Sequence, residues 1–157
     1  MNDEVESAVA DGLTVEQVNA YLRENMGFSV ERGTTIEKIG PGFAVARQQY
    51  LEKNLRPGGI ISGPTLMELT DLVVWVAIFT KVGIVPMAVT WDLKINFLRT
   101  ARGGDVLATA KILKLGRSLA YASVDLAMDN NPDDLVAHAT VTYSLPQEKP
   151  ISHSSPS

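Results

Sequence analysis

No cysteine occurs in the 157 residues. A thiol nucleophile, a disulfide framework and a thiolate metal site are therefore excluded, and a reducing compartment is the natural expectation. Histidine is almost as scarce: His138 and His153 are the only two, too few for a histidine-built metal site. A basic surplus is missing as well. Fourteen Lys+Arg stand against eighteen Asp+Glu, a net charge of −4, whereas a duplex-binding protein carries excess cations to displace counterions from phosphate. No nucleic acid partner is expected, although a local basic patch could still hold a phosphorylated small molecule. The stretch 1–11 is acidic and lacks the basic and apolar regions of a secretory leader. The longest apolar run, Leu72 to Phe79, stops at Thr80 and Lys81, far short of the roughly 18 to 20 residues a membrane span needs. These absences predict a soluble, cytoplasmic protein without a membrane partner.

What is present is ordinary for a globular chain. Hydrophobic residues make up 45% and charged residues 20%, enough for one real core and, at this length, one domain. Thr14 to Asn25 reads as a short helix: Thr14 and Gln17 form a capping-box pair, Val15, Val18 and Leu22 an apolar stripe, and Gly27 follows the end. Two strand-like runs, Thr34 to Ile39 and Phe43 to Tyr50, flank the turn signal Gly40-Pro41-Gly42. Asn54 to Gly59 reads as a loop. Ser62-Gly63-Pro64 then opens a helix expected to run to Phe79, with a hydroxyl at the cap and proline in the first turn. That helix is apolar nearly all round, which predicts burial rather than a surface position. Four strand-like stretches follow: Met87 to Leu98, Asp105 to Leu115, Ser118 to Met128 and Leu135 to Leu145. Short connections make the last three antiparallel neighbours. The layout divides into an N-terminal helical segment (1–30), an α+β domain (31–146) and a Pro- and Ser-rich tail (147–157) expected to be disordered. One buried helix and about six strands satisfy each other if an antiparallel sheet wraps the helix.

Asp71 is the anomaly. It lies in mid-helix with Leu69, Leu72, Val73, Val74 and Trp75 close in sequence, and a carboxylate that loses hydration is expensive to keep without a partner or a task. The plainer alternative is that Asp71 and Glu68 share an exposed stripe or pair with Arg or Lys. Ser62-Gly63-Pro64 is the second feature, because free amides and the positive dipole end at a helix start can hold an oxygen that becomes negative. Pro64 lacks an N–H, so Gly63 is the candidate donor; the alternative is simply a well-capped helix. Basic residues gather at strand ends: Arg99 and Arg102 beside Gly103-Gly104, and Lys114 and Arg117 beside Gly116. They could grip the phosphates of a nucleotide-bearing ligand or be solvated hairpin ends. His138 alternates with Val136 and Thr140 in a strand pattern and reads as a structural or surface histidine.

The run from about Arg56 to Leu145 resembles hotdog-fold acyl-CoA thioesterases of the phenylacetyl-CoA (PaaI-like) type. The resemblance rests on Ser62-Gly63-Pro64-Thr65-Leu66-Met67-Glu68-Leu69-Thr70-Asp71, which overlays the family's His-Gly-Gly run ending in Leu-x-Asp. It rests also on Val89-Thr90-Trp91-Asp92-Leu93-Lys94-Ile95-Asn96-Phe97-Leu98-Arg99, then Gly104-Asp105 and Lys114-Leu115-Gly116-Arg117. It implies an antiparallel sheet around one long helix, in homodimers or homotetramers whose sites draw on two chains. By position it implies that Asp71 is the catalytic carboxylate, general base or nucleophile toward the thioester. Gly63 falls on the oxyanion donor, and Thr90 on a hydroxyl that positions water. Ser62 stands where the family usually has His, Pro64 replaces the second Gly, and Arg56 stands where an Asn often assists, with Asn54 two residues earlier. The expected activity is hydrolysis of an acyl-CoA, with CoA as part of the substrate and no other cofactor. Ser62 would offer a hydroxyl near the thioester, the wall around Trp75 and Phe79 a place for part of the acyl group, and Asn54, Arg56, Arg99, Arg102, Lys114, Gly116 and Arg117 the substrate contacts. The altered residues keep a second reading open, an acyl-CoA-binding carrier or sensor with weak catalysis. A hotdog dehydratase or hydratase is a third, disfavoured because no histidine lies near Asp71 in sequence.

Overall fold

The computed structural model describes residues 8–147 and 149–152. Its first helix, α1 (Val15–Asn25), opens on the capping box the sequence carries: Gln17 N–H donates to Thr14 Oγ1 at 3.2 Å, and Thr14 N–H to Gln17 Oε1 at 2.9 Å. Val18 and Leu22, four residues apart on one face, bury against the core. Gly27 follows the end of α1, as expected, and opens a second short helix. Met26, with φ −131°, closes α1 onto Leu22, and its carbonyl at once accepts from Ser29 and Val30 to start α2 (Gly27–Glu31). A glycine next to a helix end serves as either stop or start, and its identity alone does not say which.

β1 (Thr34–Gly40) and β2 (Phe43–Gln48) form the expected hairpin. The segment expected as a loop is instead a 3-10 turn, Glu52–Asn54, and a minimal hairpin, β3 (Leu55–Arg56) with β4 (Ile60–Ile61). This hairpin delivers the chain to α3 (Gly63–Val82), whose N-cap is Ser62. The helix continues a turn beyond Phe79, because the break comes only at Gly83, where φ is 86°. That left-handed value suits glycine. A Cβ there would also stand 2.8 Å from Pro150.

The sheet adds β5 (Val89–Phe97), β6 (Val106–Leu115), β7 (Leu119–Met128) and β8 (Asn131–Ser144), in the order β1-β2-β6-β7-β8-β5. Every neighbouring pair is antiparallel. The sheet wraps α3, which is the hotdog arrangement. Its inner face is unusually small in side chain: Ala44, Ala46, Ala108, Ala110, Ala120, Ala122, Ala137 and Ala139 are all buried. Small residues let the large ones of α3 (Val73, Val74, Val76, Ile78 and Phe79, each 0% exposed) approach the strands closely. Burying such side chains stabilises the fold by about 1.5–3 kcal/mol each. A charge at Val76 would undo this.

Two features bear on the site. β5 carries a bulge: Thr90 pairs with Tyr143 and Asp92 with Thr142, leaving Trp91 as the extra residue. The tail is also not free throughout. Ile151 N–H donates to Ile84 O at 3.0 Å, so Pro150 and Ile151, in the segment expected to be disordered, lie against the exit of α3. Residues 148 and 153–157, including His153, and residues 1–7 of the N-terminal segment lie outside the described residues.

Candidate active site

Two clefts flank α3, one at its start and one at its middle. The first, of about 810 Å³, is lined by Ser62, Gly63 and Pro64 from the helix start, Arg56 and Ile60 from the β3–β4 hairpin, and Phe97 to Ala101 beyond β5. The Gly63 amide has no acceptor within its own helix, and the Phe97 ring lies so close that a Cβ on Gly63 would sit 3.3 Å from it. Ser62 and Arg56 thus belong to the Gly63 cleft. The Ser62 hydroxyl is engaged locally, accepting from Thr65 N–H at 3.4 Å and sharing a 2.8 Å hydrogen bond with the Thr65 hydroxyl. Asn54 is buried behind the cleft; its Nδ2 donates to Arg32 O at 2.7 Å, and its carbonyl accepts from Ser62 N–H at 2.9 Å. In this arrangement Asn54 supports the helix start instead of facing the cleft.

The second cleft, of about 410 Å³, is lined by Asp71, Glu68, Leu72 and Trp75 of α3, by Met26, Phe28 and Ser29 at the α1–α2 junction, and by Thr90 and Tyr143. Asp71 is half-buried. Its Oδ1 accepts two hydroxyl donors, Thr90 Oγ1 at 2.5 Å and Tyr143 at 2.7 Å, and the Tyr143 hydroxyl also lies 2.9 Å from the Asp71 carbonyl. Burial first, and the negative charge of Asp71 second, push the Tyr143 hydroxyl well above the usual tyrosine value of 10.0. It therefore stays protonated and remains a donor. Glu68 follows the plainer alternative: it pairs with Arg32 at 2.6 Å and accepts from Ser29 at 3.2 Å. Asp71 does not; its partners are neutral hydroxyls.

Sequence reasoning brought Thr90 to Asp71 only through the family resemblance and missed Tyr143 altogether. The bulge explains why. Along β5, Asp92, Lys94 and Asn96 pair with Thr142, Thr140 and His138, while the buried face of β8 carries Ala137, Ala139, Val141 and Tyr143. Strict alternation would put Thr90 on the outer face with Asp92. The extra residue at Trp91 inverts the parity and sets Thr90 opposite Tyr143, beneath Asp71. A bulge beside a site that re-aims one side chain is a recurrent device.

The basic residues do not form one patch. Arg99 lines the Gly63 cleft while pairing with Asp134, and Arg102 bridges Ile60 beside it. Lys114, Gly116 and Arg117 sit at the β6–β7 turn, at the opposite end of the sheet, in the row that runs through Ala120 and Tyr143 to Thr90. Phe79 is fully buried and lines neither cleft; Trp75, 4.6 Å from it ring to ring, is the part of that wall the Asp71 cleft reaches. Asp105, part of the family resemblance, accepts from Arg47 and from Tyr50 N–H, a structural tie. His138 pairs with Asp125 at 2.7 Å and lines neither cleft.

The family model described as the thioesterase superfamily matches residues 58–133. A candidate thioesterase from Silicibacter sp. TM1040, solved by crystallography, is 31% identical, with a TM-score of 0.79 over 90% of this chain and 96% of that one. The chain belongs to the thioesterase superfamily. The matched span of the family holds α3, β5 to β7 and most of both clefts. Human acyl-coenzyme A thioesterase 13 is 29% identical over 93 residues, 59% of this chain and 66% of that protein. A mutant structure of the phenylacetic acid degradation protein PaaI from Thermus thermophilus is 25% identical, with a TM-score of 0.67 over 76% of this chain and 98% of that one. The activity of the family, thioester hydrolysis, is the activity of this chain, and among the described residues no helix is long and apolar enough to cross a membrane.

Proposed function

We propose that the protein hydrolyses acyl-CoA thioesters, with Asp71 as general base or nucleophile and the Gly63 amide as oxyanion donor. The observation that carries the reading is a carboxylate in a largely apolar cleft, fixed by two hydroxyls, on the same helix as a first-turn amide with no acceptor among the described residues. As general base, Asp71 takes a proton from water while the water oxygen bonds to the thioester carbon. The carbonyl electrons move to oxygen, beside the Gly63 N–H, and their return breaks the C–S bond; the departing thiolate takes up the proton. As nucleophile, Asp71 bonds to the carbon and expels CoA as thiolate, leaving a mixed anhydride; water then opens the anhydride, freeing the acid and Asp71, and its proton goes to the thiolate. In water labelled with ¹⁸O, label in the Asp71 side chain after a single turnover identifies the second route, with water entering at the aspartyl carbon of the anhydride. No cofactor beyond the CoA of the substrate enters either route.

One chain does not complete this site. Gly63 and Asp71 are eight positions apart, about 12 Å along the helix axis at the standard rise, whereas a carbonyl carbon and its oxygen are only about 1.2 Å apart. The same thioester cannot reach both groups in one copy. A second copy would bring its Asp71 cleft against the first copy's Gly63 cleft, and the β5 edge, where Val89, Trp91 and Phe97 are exposed, offers backbone unpaired among the described residues for a second sheet to continue. The reading therefore includes a homodimer or homotetramer. In it, Arg99 and Arg102 of one copy and Lys114 and Arg117 of another supply cations for the CoA phosphates.

Thiol release from short, aromatic and long acyl-CoAs tests the reading. Turnover on one class supports hydrolysis. Tight binding with no turnover on any of them replaces it with the carrier or sensor reading, for which Ser62, Pro64 and Arg56 would be the first residues to restore.

A further inference from the structure

Tyr143 is a buried titratable group that takes no part in either hydrolytic route, yet it touches Asp71 twice. The phenol is 3% exposed, and a hydroxyl removed from water must find a partner. This one finds the Asp71 side chain at 2.7 Å and the Asp71 carbonyl at 2.9 Å. Binding both the backbone and the carboxylate of one residue fixes the torsion between them. Thr90, set beside Tyr143 by the bulge at Trp91, brings its hydroxyl to the same oxygen, Oδ1, at 2.5 Å. Among the described residues, Oδ2 has no hydrogen-bond partner.

We infer that Tyr143 is the positioning residue of the site: with Thr90 it clamps Oδ1, so Oδ2 is the oxygen that meets water or the thioester carbon. The inference rests on the hydrolytic role of Asp71 and adds the choice of oxygen and the group that enforces it. A carboxylate turns easily about its last torsion, which is broad in energy. Reaction requires one oxygen to be held in line with the carbonyl, and a loss of order in that geometry lowers rate without lowering affinity. Tyr143 suits the task because its raised ionisation keeps it a donor wherever Asp71 is charged. It is also held by the sheet: β8 is paired on both sides at this position, with Ala120 and Thr90 as its neighbours. Thr90 alone, on an edge strand, would leave the carboxylate one restraint short.

Tyr143→Phe keeps the ring and removes only the hydroxyl. The expected result is a fall in kcat of about 10- to 100-fold, the range for a hydrogen bond to a charged group, with KM unchanged. In the Asp71→Asn background the same change is expected to cost nothing further, because a residue that acts through Asp71 has nothing left to position. A second measurement does not depend on how well the variant folds. In the wild type the Tyr143 hydroxyl proton is expected as a slowly exchanging, downfield NMR signal that moves upfield in Asp71→Asn. Tyr143→Phe at wild-type kcat, an equal further loss in the Asp71→Asn background, or a hydroxyl signal indifferent to Asp71 would each overturn the inference. Asp71→Asn retaining full turnover would instead overturn the hydrolytic role of Asp71, whatever Tyr143 does.

Discussion

The start and the middle of α3 carry the two halves of the proposed chemistry, and they are built differently. At the start, the site is local: Ser62, Gly63 and Pro64 are neighbours in sequence, and cap, amide and dipole end follow from helix geometry. In the middle, nothing is local. Asp71 comes from α3, Thr90 from β5 and Tyr143 from β8, 72 positions away. They meet only because a one-residue bulge reverses the parity of an edge strand. The amide half should therefore tolerate changes in the sheet, while the carboxylate half should depend on register.

Asp71→Asn is the largest expected effect. It is nearly isosteric and keeps an acceptor for Thr90 and Tyr143, yet it removes the base or nucleophile, so turnover should fall by about 10²–10⁴-fold or more while a non-hydrolysable acyl-CoA analogue still binds. Deleting Trp91 tests the comparison at its weakest point. The deletion straightens β5 but leaves Thr90 next to Asp92, so ordinary alternation keeps it opposite Tyr143 on the inner face, and kcat should stay near that of Trp91→Ala, which keeps the bulge. A deletion variant far less active than Trp91→Ala would mean that parity alone does not aim Thr90.

Smaller effects sharpen the contrast. Alanine at Arg99, Arg102, Lys114 or Arg117 should raise KM with kcat nearly unchanged wherever the side chain holds a phosphate, and the effect should shrink with added salt. If all four leave KM alone, the phosphates bind elsewhere. Alkaline stability offers another measure. Because the folded-state ionisation of Tyr143 is raised above the ordinary 10.0, its contribution is complete below that pH and is lost as pH climbs above it. Tyr143→Phe should accordingly lose less stability than the wild type between about pH 8 and about pH 11. Glu68→Gln, which loosens only the Arg32 and Ser29 contacts, should change turnover least.

Most of the fold was legible in the chain. The capping box, the all-round apolar helix and the turn signals place α1, α3 and the six strands of the sheet within a few residues, since each depends on short-range chemistry. The failures share a cause. Gly27 follows the end of α1 but also opens a second short helix, the β3–β4 hairpin forms inside a Pro- and Gly-rich loop, and Ile151 docks on Ile84 from a polar tail. In each, a tertiary partner decided between two conformations that the local sequence permits. The site divides the same way. Asp71 stood out as an acid in an apolar helix and Gly63 as a first-turn amide, but Tyr143 looked like one more inward residue of a strand, and no pattern in β5 announces a bulge. Nor does spacing say that Arg99 and Arg102 lie at one end of the sheet and Lys114 and Arg117 at the other.

The central claim is that Gly63 of one copy and Asp71 of another act on the same thioester. Mixed oligomers of two inactive chains test it directly. Gly63→Val places a branched side chain against the Phe97 ring and closes the first cleft; Asp71→Asn disarms the second. Each alone should be inactive. Unfolded together and reassembled, or co-expressed and purified as the mixed species, the pair should recover thioester hydrolysis, because one site in each mixed dimer combines an intact Gly63 with an intact Asp71. A mixed species as inactive as its parents, with its composition verified, would contradict the account and place both groups in a single chain's site.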